Sequence, residues 1–134
     1  LSPFLLLTSY ISVSAQVYKY KSVDFTFKIM ENHLTWSEWS DWKKLRALVT
    51  LDLDSKKIKI YTSKMQVYDI VEFTEPTINS DGNTTLLYPS VDVDGVDCVI
   101  RLILLKSQGN SIALSIEYTN AILIYRLEQE NFQH

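Results

Sequence analysis

Residues 45–62, LRALVTLDLDSKKIKIYT, leave this chain little choice but antiparallel β-structure. Leu45, Ala47, Val49, Leu51 and Leu53 alternate with Arg46, Leu48, Thr50, Asp52 and Asp54, the two-residue period of a strand with one buried face. Ile58 and Ile60, alternating with Lys57, Lys59 and Tyr61, supply a return strand. A turn centred on Ser55 and Lys56 predicts Leu53 opposite Ile58 and Leu51 opposite Ile60. On the other face it predicts Asp54 opposite Lys57 and Asp52 opposite Lys59, each pair contributing roughly 0.2–1 kcal/mol. A slip of one residue would exchange the faces and lose every pair. Neither Ser nor Lys takes a positive φ readily, so a four-residue loop in the same register serves equally well.

The rest of the chain reads the same way. Val23, Phe25, Phe27 and Ile29 alternate with Asp24, Thr26 and Lys28, and Tyr18 and Tyr20 extend that strand on the opposite face. Residues 31–43 break the alternation and form the longest loop. Strand signals return over 67–73, 84–93, 96–105, 112–118 and 121–127, separated by Asn79-Ser80-Asp81-Gly82-Asn83, Asp92-Val93-Asp94-Gly95, Ser107-Gln108-Gly109-Asn110 and Thr119-Asn120. In the last hairpin Ile116 should face Leu123, Leu114 face Tyr125, and Ile112 face Leu127. Pro89 demotes the middle of its strand to an edge or a bulge. No helical period is sustained. The pattern predicts a single all-β domain over 16–134, an antiparallel meander of seven to eight strands closed as a small barrel, with a β-sandwich as the alternative fold.

Composition narrows the function more than it defines it. A formal charge of −3 offers no basic footprint for nucleic acid. Residues 1–15, LSPFLLLTSYISVSA, carry no charge and end on Val13-Ser14-Ala15, the small residues of a signal-peptidase site. This predicts a signal peptide cleaved before Gln16 and a periplasmic or secreted protein. The apolar run is shorter than the roughly 20 residues a membrane-spanning helix needs. Cys98 is the only cysteine, which excludes a disulfide within the chain and any cysteine-based zinc site.

Chemistry-bearing residues are sparse. Only His33 and His134 are present, so no histidine-centred triad or multi-histidine metal site is expected, and the chain reads as non-enzymatic with no cofactor. Val91-Asp92-Val93-Asp94-Gly95-Val96-Asp97 hints at a calcium loop through Asp92, Asp94 and Asp97, but lacks EF-hand spacing and reads foremost as a hairpin turn. Cys98, heading an apolar strand, reads as a buried thiol. The most distinctive stretch is Trp36-Ser37-Glu38-Trp39-Ser40-Asp41-Trp42. Tryptophans spaced by three share one face in an extended threefold conformation or, more loosely, on one helical turn, but not on a flat strand, and Lys43, Lys44 or Arg46 could stack on them. This makes Trp36, Trp39 and Trp42 the candidate ligand-binding residues: either indoles covering one end of the barrel or an aromatic platform for a sugar or apolar ligand.

Residues 36–40 match the WSXWS box of cytokine receptors, and the three tryptophans resemble the ladder of thrombospondin type 1 repeats. The first box should follow a complete fibronectin-type domain and the second framework carries disulfides, so neither family is assigned. Over most of its length the chain resembles small exported β-proteins of Bacteroidota with no assigned function. The resemblance is carried by Ala15-Gln16-Val17-Tyr18, Trp39-Ser40-Asp41-Trp42, Val49-Thr50-Leu51-Asp52, Ile58-Lys59-Ile60-Tyr61-Thr62, Gln66-Val67-Tyr68-Asp69-Ile70, and Asp94-Gly95 before Cys98. It implies an exported β-protein and transfers no site. Lipocalins and other calycins are a fold analogy only. The leading expectation is an exported binding protein with a small apolar or glycan ligand at a tryptophan-rich barrel mouth. The alternative is an interaction or assembly module of the bacterial envelope, offering a strand such as that of Pro89 to a protein partner.

Overall fold

The computed structural model describes residues 17–106 and 111–129. The expected signal peptide over 1–15, the turn over 107–110 and His134 lie outside the described residues. The strands are β1 (Val17–Glu31), β2 (Thr35–Trp36), β3 (Lys43–Lys44), β4 (Leu48–Asp52), β5 (Lys57–Tyr61), β6 (Gln66–Ile70), β7 (Thr77–Ile78), β8 (Thr84–Val91), β9 (Asp97–Leu105), β10 (Ser111–Glu117) and β11 (Ala121–Gln129). Eight of them, β1-β4-β5-β6-β8-β9-β10-β11, form one antiparallel sheet that closes when β11 pairs back onto β1. The expected barrel is therefore the fold, and closure rules out the sandwich. The short β2, β3 and β7 lie outside the ring. Among the described residues no helix is long and apolar enough to cross a membrane.

A path crossing the ring along its hydrogen bonds leaves β1 at Val17 and returns to it near Met30, where Met30 N donates to the Asn120 carbonyl. That stagger of about a dozen residues tilts the strands steeply around the axis. The upper end of the barrel carries the connections 32–47, 62–65, 92–96 and 118–120. The lower end carries 53–56, 71–83 and the start of β1. Inside, Ile60, Ile100 and Ile116 are fully buried among Val49, Leu51, Ile58, Leu102 and Leu114.

A bulge lets β1 face the core on both sides of its bend. Its register with β11 slips between Ser22 and Asp24, leaving Val23 as the extra residue. Tyr20 and Ser22 below the bulge are buried, and Phe25 above it packs on the core. The two tyrosines were expected on the face opposite Phe25. The bulge puts Tyr20 on the inner face together with Phe25, while Tyr18 stays exposed. Ser22 secures this bend, its hydroxyl accepting from Ala47 N at 2.8 Å and donating to the Leu45 carbonyl.

The 45–62 hairpin has the expected faces in a shifted register. Leu51 lies opposite Ile58, Val49 opposite Ile60, and Asp52 opposite Lys57, two residues away from the predicted pairing. The loop is 53–56, with Asp52 Oδ1 accepting from Asp54 N and Ser55 N at 3.1 Å each. Lys56 takes a φ of 58° to close it. A displacement of two keeps every side chain on its face, so the hydrophobic pattern alone does not exclude it. The last hairpin matches the prediction: Ile116, Leu114 and Ile112 face Leu123, Tyr125 and Leu127. Pro89 stands where β8 loses its neighbour, since β6 pairs only as far as Ile70↔Ser90.

Ser22→Ala would leave the Ala47 N–H and the Leu45 carbonyl unpaired in a buried position. The expected outcome is a loss of about 1–3 kcal/mol, read as a lower urea midpoint with an unchanged m-value.

Candidate functional site

After β1 the chain doubles back alongside it, as an extended ribbon rather than a regular strand. Ser37 N donates to the Ile29 carbonyl and Ser40 N to the Phe27 carbonyl, while Lys43 pairs with Phe25. Three ribbon residues thus span two of β1, which gives the threefold conformation expected from the tryptophan spacing. Ser37 Oγ and Ser40 Oγ accept from Ile29 N at 3.0 Å and Phe27 N at 3.1 Å, satisfying donors that β4 does not reach.

The three indoles lie over the outer face of β1 and β11. Their stacking cations are Lys28 and Arg126, from the strands beneath, rather than the expected Lys43, Lys44 or Arg46. Lys28 Nζ lies 5.2 Å from the Trp36 ring and 4.7 Å from Trp39, and the Arg126 guanidinium lies 4.0 Å from Trp42. Lys43 covers Phe27 instead. Arg126 also clasps Asp24 through Nε at 2.7 Å and through Nη2, which holds the Asp24 carboxyl below the usual carboxylate range. Trp39 and Trp42 remain 44% exposed. The ladder is therefore a brace between ribbon and barrel, with two indoles still open on one side.

At the upper end the inward polar groups are paired with one another. Tyr68 OH donates to Gln66 Oε1 at 2.7 Å, Gln66 Nε2 reaches Tyr125 OH at 3.4 Å, and Tyr118 OH donates to Asp92 Oδ2 at 2.8 Å. A hollow of about 310 Å³ lies here, lined in part by Thr62, Gln66, Tyr68, Asp92 and Tyr118. Asp92 Oδ1 accepts from Asp94 N and Val96 N at 2.9 Å each, and Gly95 takes a φ of 80°, so the Asp92–Val96 segment is a hairpin turn. The backbone N–H of Val96, then the Tyr118 hydroxyl, hold Asp92 below its ordinary value. Among the described residues no three His, Cys, Asp or Glu side chains come together as a cation site. Cys98 is buried, and burial, followed by the nearby Asp92 charge, pushes its thiol up to about 11. It is a protonated thiol at neutral pH.

The lower end differs. A cavity of about 270 Å³ opens there, lined by Gly82, Thr84, Leu104, Lys106, Ile112 and Gln129. Tyr20 is the register partner of Gln129, and Tyr88 lies on the inner row of β8 that begins at Thr84. Neither tyrosine lines the cavity: Tyr20 sits across from Gln129, and Tyr88 is four residues along β8 from Thr84. Tyr20 is 9% exposed and Tyr88 5%, with Phe73 packed edge-on against Tyr88 at 5.7 Å. Among the described residues neither hydroxyl has a hydrogen-bond partner. Among the described residues Asn83 Oδ1 is the one side-chain polar atom both unpaired and sealed from solvent. Burial raises both tyrosines above the ordinary phenol value, with Tyr88 and then Tyr18 adding at Tyr20, and Tyr18 adding at Tyr88.

No protein-family model, curated protein or solved structure matches this chain. The sequence singled out the tryptophans and missed Tyr20 and Tyr88. The signal was present in the tyrosine content, eight against five phenylalanines, because a tyrosine at an inward strand position must find a partner for its hydroxyl or present it to something else.

Two outcomes follow from these environments. Arg126→Met should lower stability by about 1 kcal/mol at neutral pH. Because Asp24 is depressed, its contribution is present above the ordinary aspartate value and lost as pH falls, so the gap between variant and parent narrows below about pH 4 in urea titrations. Tyr20, Tyr68, Tyr88, Tyr118 and Tyr125 are all raised, by burial first. Their contribution is complete below about pH 10 and declines as pH climbs further. Tyrosinate absorbance from these side chains should grow together with the loss of β circular dichroism.

Proposed function

We propose that this chain is a non-enzymatic binding protein that takes a small apolar ligand into the lower mouth of its barrel. The observation that carries the reading is the largely apolar cavity at the lower end of the barrel, on whose side of the core Tyr20 and Tyr88 are buried with no hydroxyl partner among the described residues. A buried polar group without a partner costs roughly 1–3 kcal/mol, and a ligand able to pair with it recovers that cost. The upper mouth offers less, since its tyrosines, amide and carboxylate already satisfy one another. Closure of the sheet leaves no long open edge, which weighs against the strand-offering partner role. Export to the periplasm or beyond belongs to the same proposal and rests on residues 1–15.

A glycan stacked on Trp39 and Trp42 is a second reading, favoured by the exposure of both indoles. The two readings separate in one experiment. Two-dimensional NMR of the protein from Gln16 onward, titrated with small cyclic and short-chain apolar compounds and then with oligosaccharides, should show apolar compounds shifting the amides of Thr84, Leu104 and Gln129. Oligosaccharide shifts confined to 36–42 would move the site to the ladder. Saturation of neither set up to millimolar concentration would sink the binding reading.

A further inference from the structure

We infer that the upper end of the barrel holds a separate site, a notch between β6 and the Asp92–Val96 turn that takes the free amino terminus of an extended peptide, its first residues paired to Val67 and its ammonium against Asp92. The ladder fixes which way the backbone groups of β6 point. Ile70 N donates to the Lys56 carbonyl, and Tyr68↔Ile58 and Gln66↔Ile60 continue that register, so the even-numbered residues turn N–H and C=O toward β5. The odd-numbered ones turn theirs toward β8: Val71 N reaches the Pro89 carbonyl at 2.8 Å, and Asp69 stands opposite Val91. Val67 is the next in that row, but beyond Val91 the chain leaves the line, Asp92 N donating to the Val96 carbonyl at 3.0 Å to close the turn. Among the described residues neither the N–H nor the carbonyl of Val67 has a partner. The hollow of about 310 Å³ lies between the two sides, lined by Val67 and Tyr68 on one and by Asp92 and Val93 on the other. One residue of an antiparallel chain meets such an N–H and C=O together, exchanging both bonds.

The notch is closed below and open above. β8 fills the line as far as Val91, whereas upward the line runs out past the 62–65 connection. A chain antiparallel to β6 runs upward, as β8 does, so its first residue stands at the closed end. Asp92 lies there, across from Tyr68 in the continued register. Among the described residues no lysine or arginine pairs with Asp92. Its Oδ1 is taken by the N–H groups of Asp94 and Val96, while Oδ2 accepts from the Tyr118 hydroxyl and has a lone pair left for an ammonium. The Val96 N–H, then Tyr118, hold the carboxyl below its ordinary value, so it is ionised at neutral pH. A chain in the opposite direction would end there in a carboxylate and meet like charge. The cation that lines the hollow, Lys64, belongs to the connection at the open end. A hollow of this size sits at the low end of ligand pockets, so a chain end fits and a long strand does not, in keeping with a ring that leaves no long open edge.

The test uses three tetrapeptides of one sequence, Val-Thr-Val-Thr: the first with a free amine and an amidated C-terminus, the second acetylated and amidated, the third acetylated with a free carboxylate. Each is titrated into the isotope-labelled protein and followed by two-dimensional NMR. The expected result is that the first peptide shifts the Val67 amide, slows its exchange with solvent, and binds about tenfold or more tighter than the second. Asp92→Asn, which keeps an Oδ1 acceptor for the turn, should erase that difference. The Val67 amide is read in the parent protein and does not depend on how the variant folds. Equal binding of the first two peptides overturns the capture of the ammonium. Tightest binding of the third, abolished by Lys64→Gln, overturns the direction of the chain and the proposal with it. Shifts confined to Thr84, Leu104 and Gln129, or saturation by none of the three up to millimolar concentration, overturn the notch as a site.

Discussion

The seam between β1 and β11 carries the closure of the barrel. Every other junction in the ring joins strands that follow one another along the chain, apart from the short outlying strands, so local turns deliver them. β1 and β11 have no such help. Their pairing runs from Tyr20↔Gln129 to Ile29↔Ala121 and needs the bulge at Val23 to keep both halves of β1 facing the core. It is reinforced on the outside by Asp24 and Arg126, separated by 102 positions in sequence. Ser22 on the inside and Arg126 on the outside thus grip the same bend from opposite faces.

Above the bulge, β1 loses β4, and the ribbon 35–44 takes its place. A regular strand would offer a backbone partner at every second residue. The ribbon offers one at every third and fills the interval with serine hydroxyls. That substitution explains why the serines and tryptophans recur with the same period: serine reaches the β1 backbone while tryptophan lies over Lys28 and Arg126. The aromatic repeat therefore expresses a hydrogen-bonding problem at the sheet margin.

The strands were legible because their period of two is strong, and all eight ring strands fall where alternation puts them. The turns were legible where chemistry is explicit. Asn79-Ser80-Asp81-Gly82 and Asp92-Val93-Asp94-Gly95 fold alike, an Asx oxygen accepting two backbone N–H groups and a glycine at positive φ closing the loop. Asp52-Leu53-Asp54-Ser55-Lys56 uses the same device with lysine at the left-handed position. Because lysine pays a steric cost there, no residue of the segment marks the turn centre, and the pattern is compatible with registers two residues apart. The bulge escaped notice because an extra residue in one strand is visible only against its partner, here about a hundred residues away. The lower mouth escaped for a related reason: whether an inward tyrosine is paired depends on which strands cross over it.

The seam also has a consequence for the order of events in folding. As the chain is made, β4 through β10 can zip one hairpin at a time, each closing a short loop. β1 is the first ring strand to emerge and meets β11, its seam partner, last. Until then the growing sheet presents two open edges, and the rate of completion is governed by a contact across nearly the whole chain. A chain held extended until its last strand is available would avoid edge-to-edge association between unfinished copies.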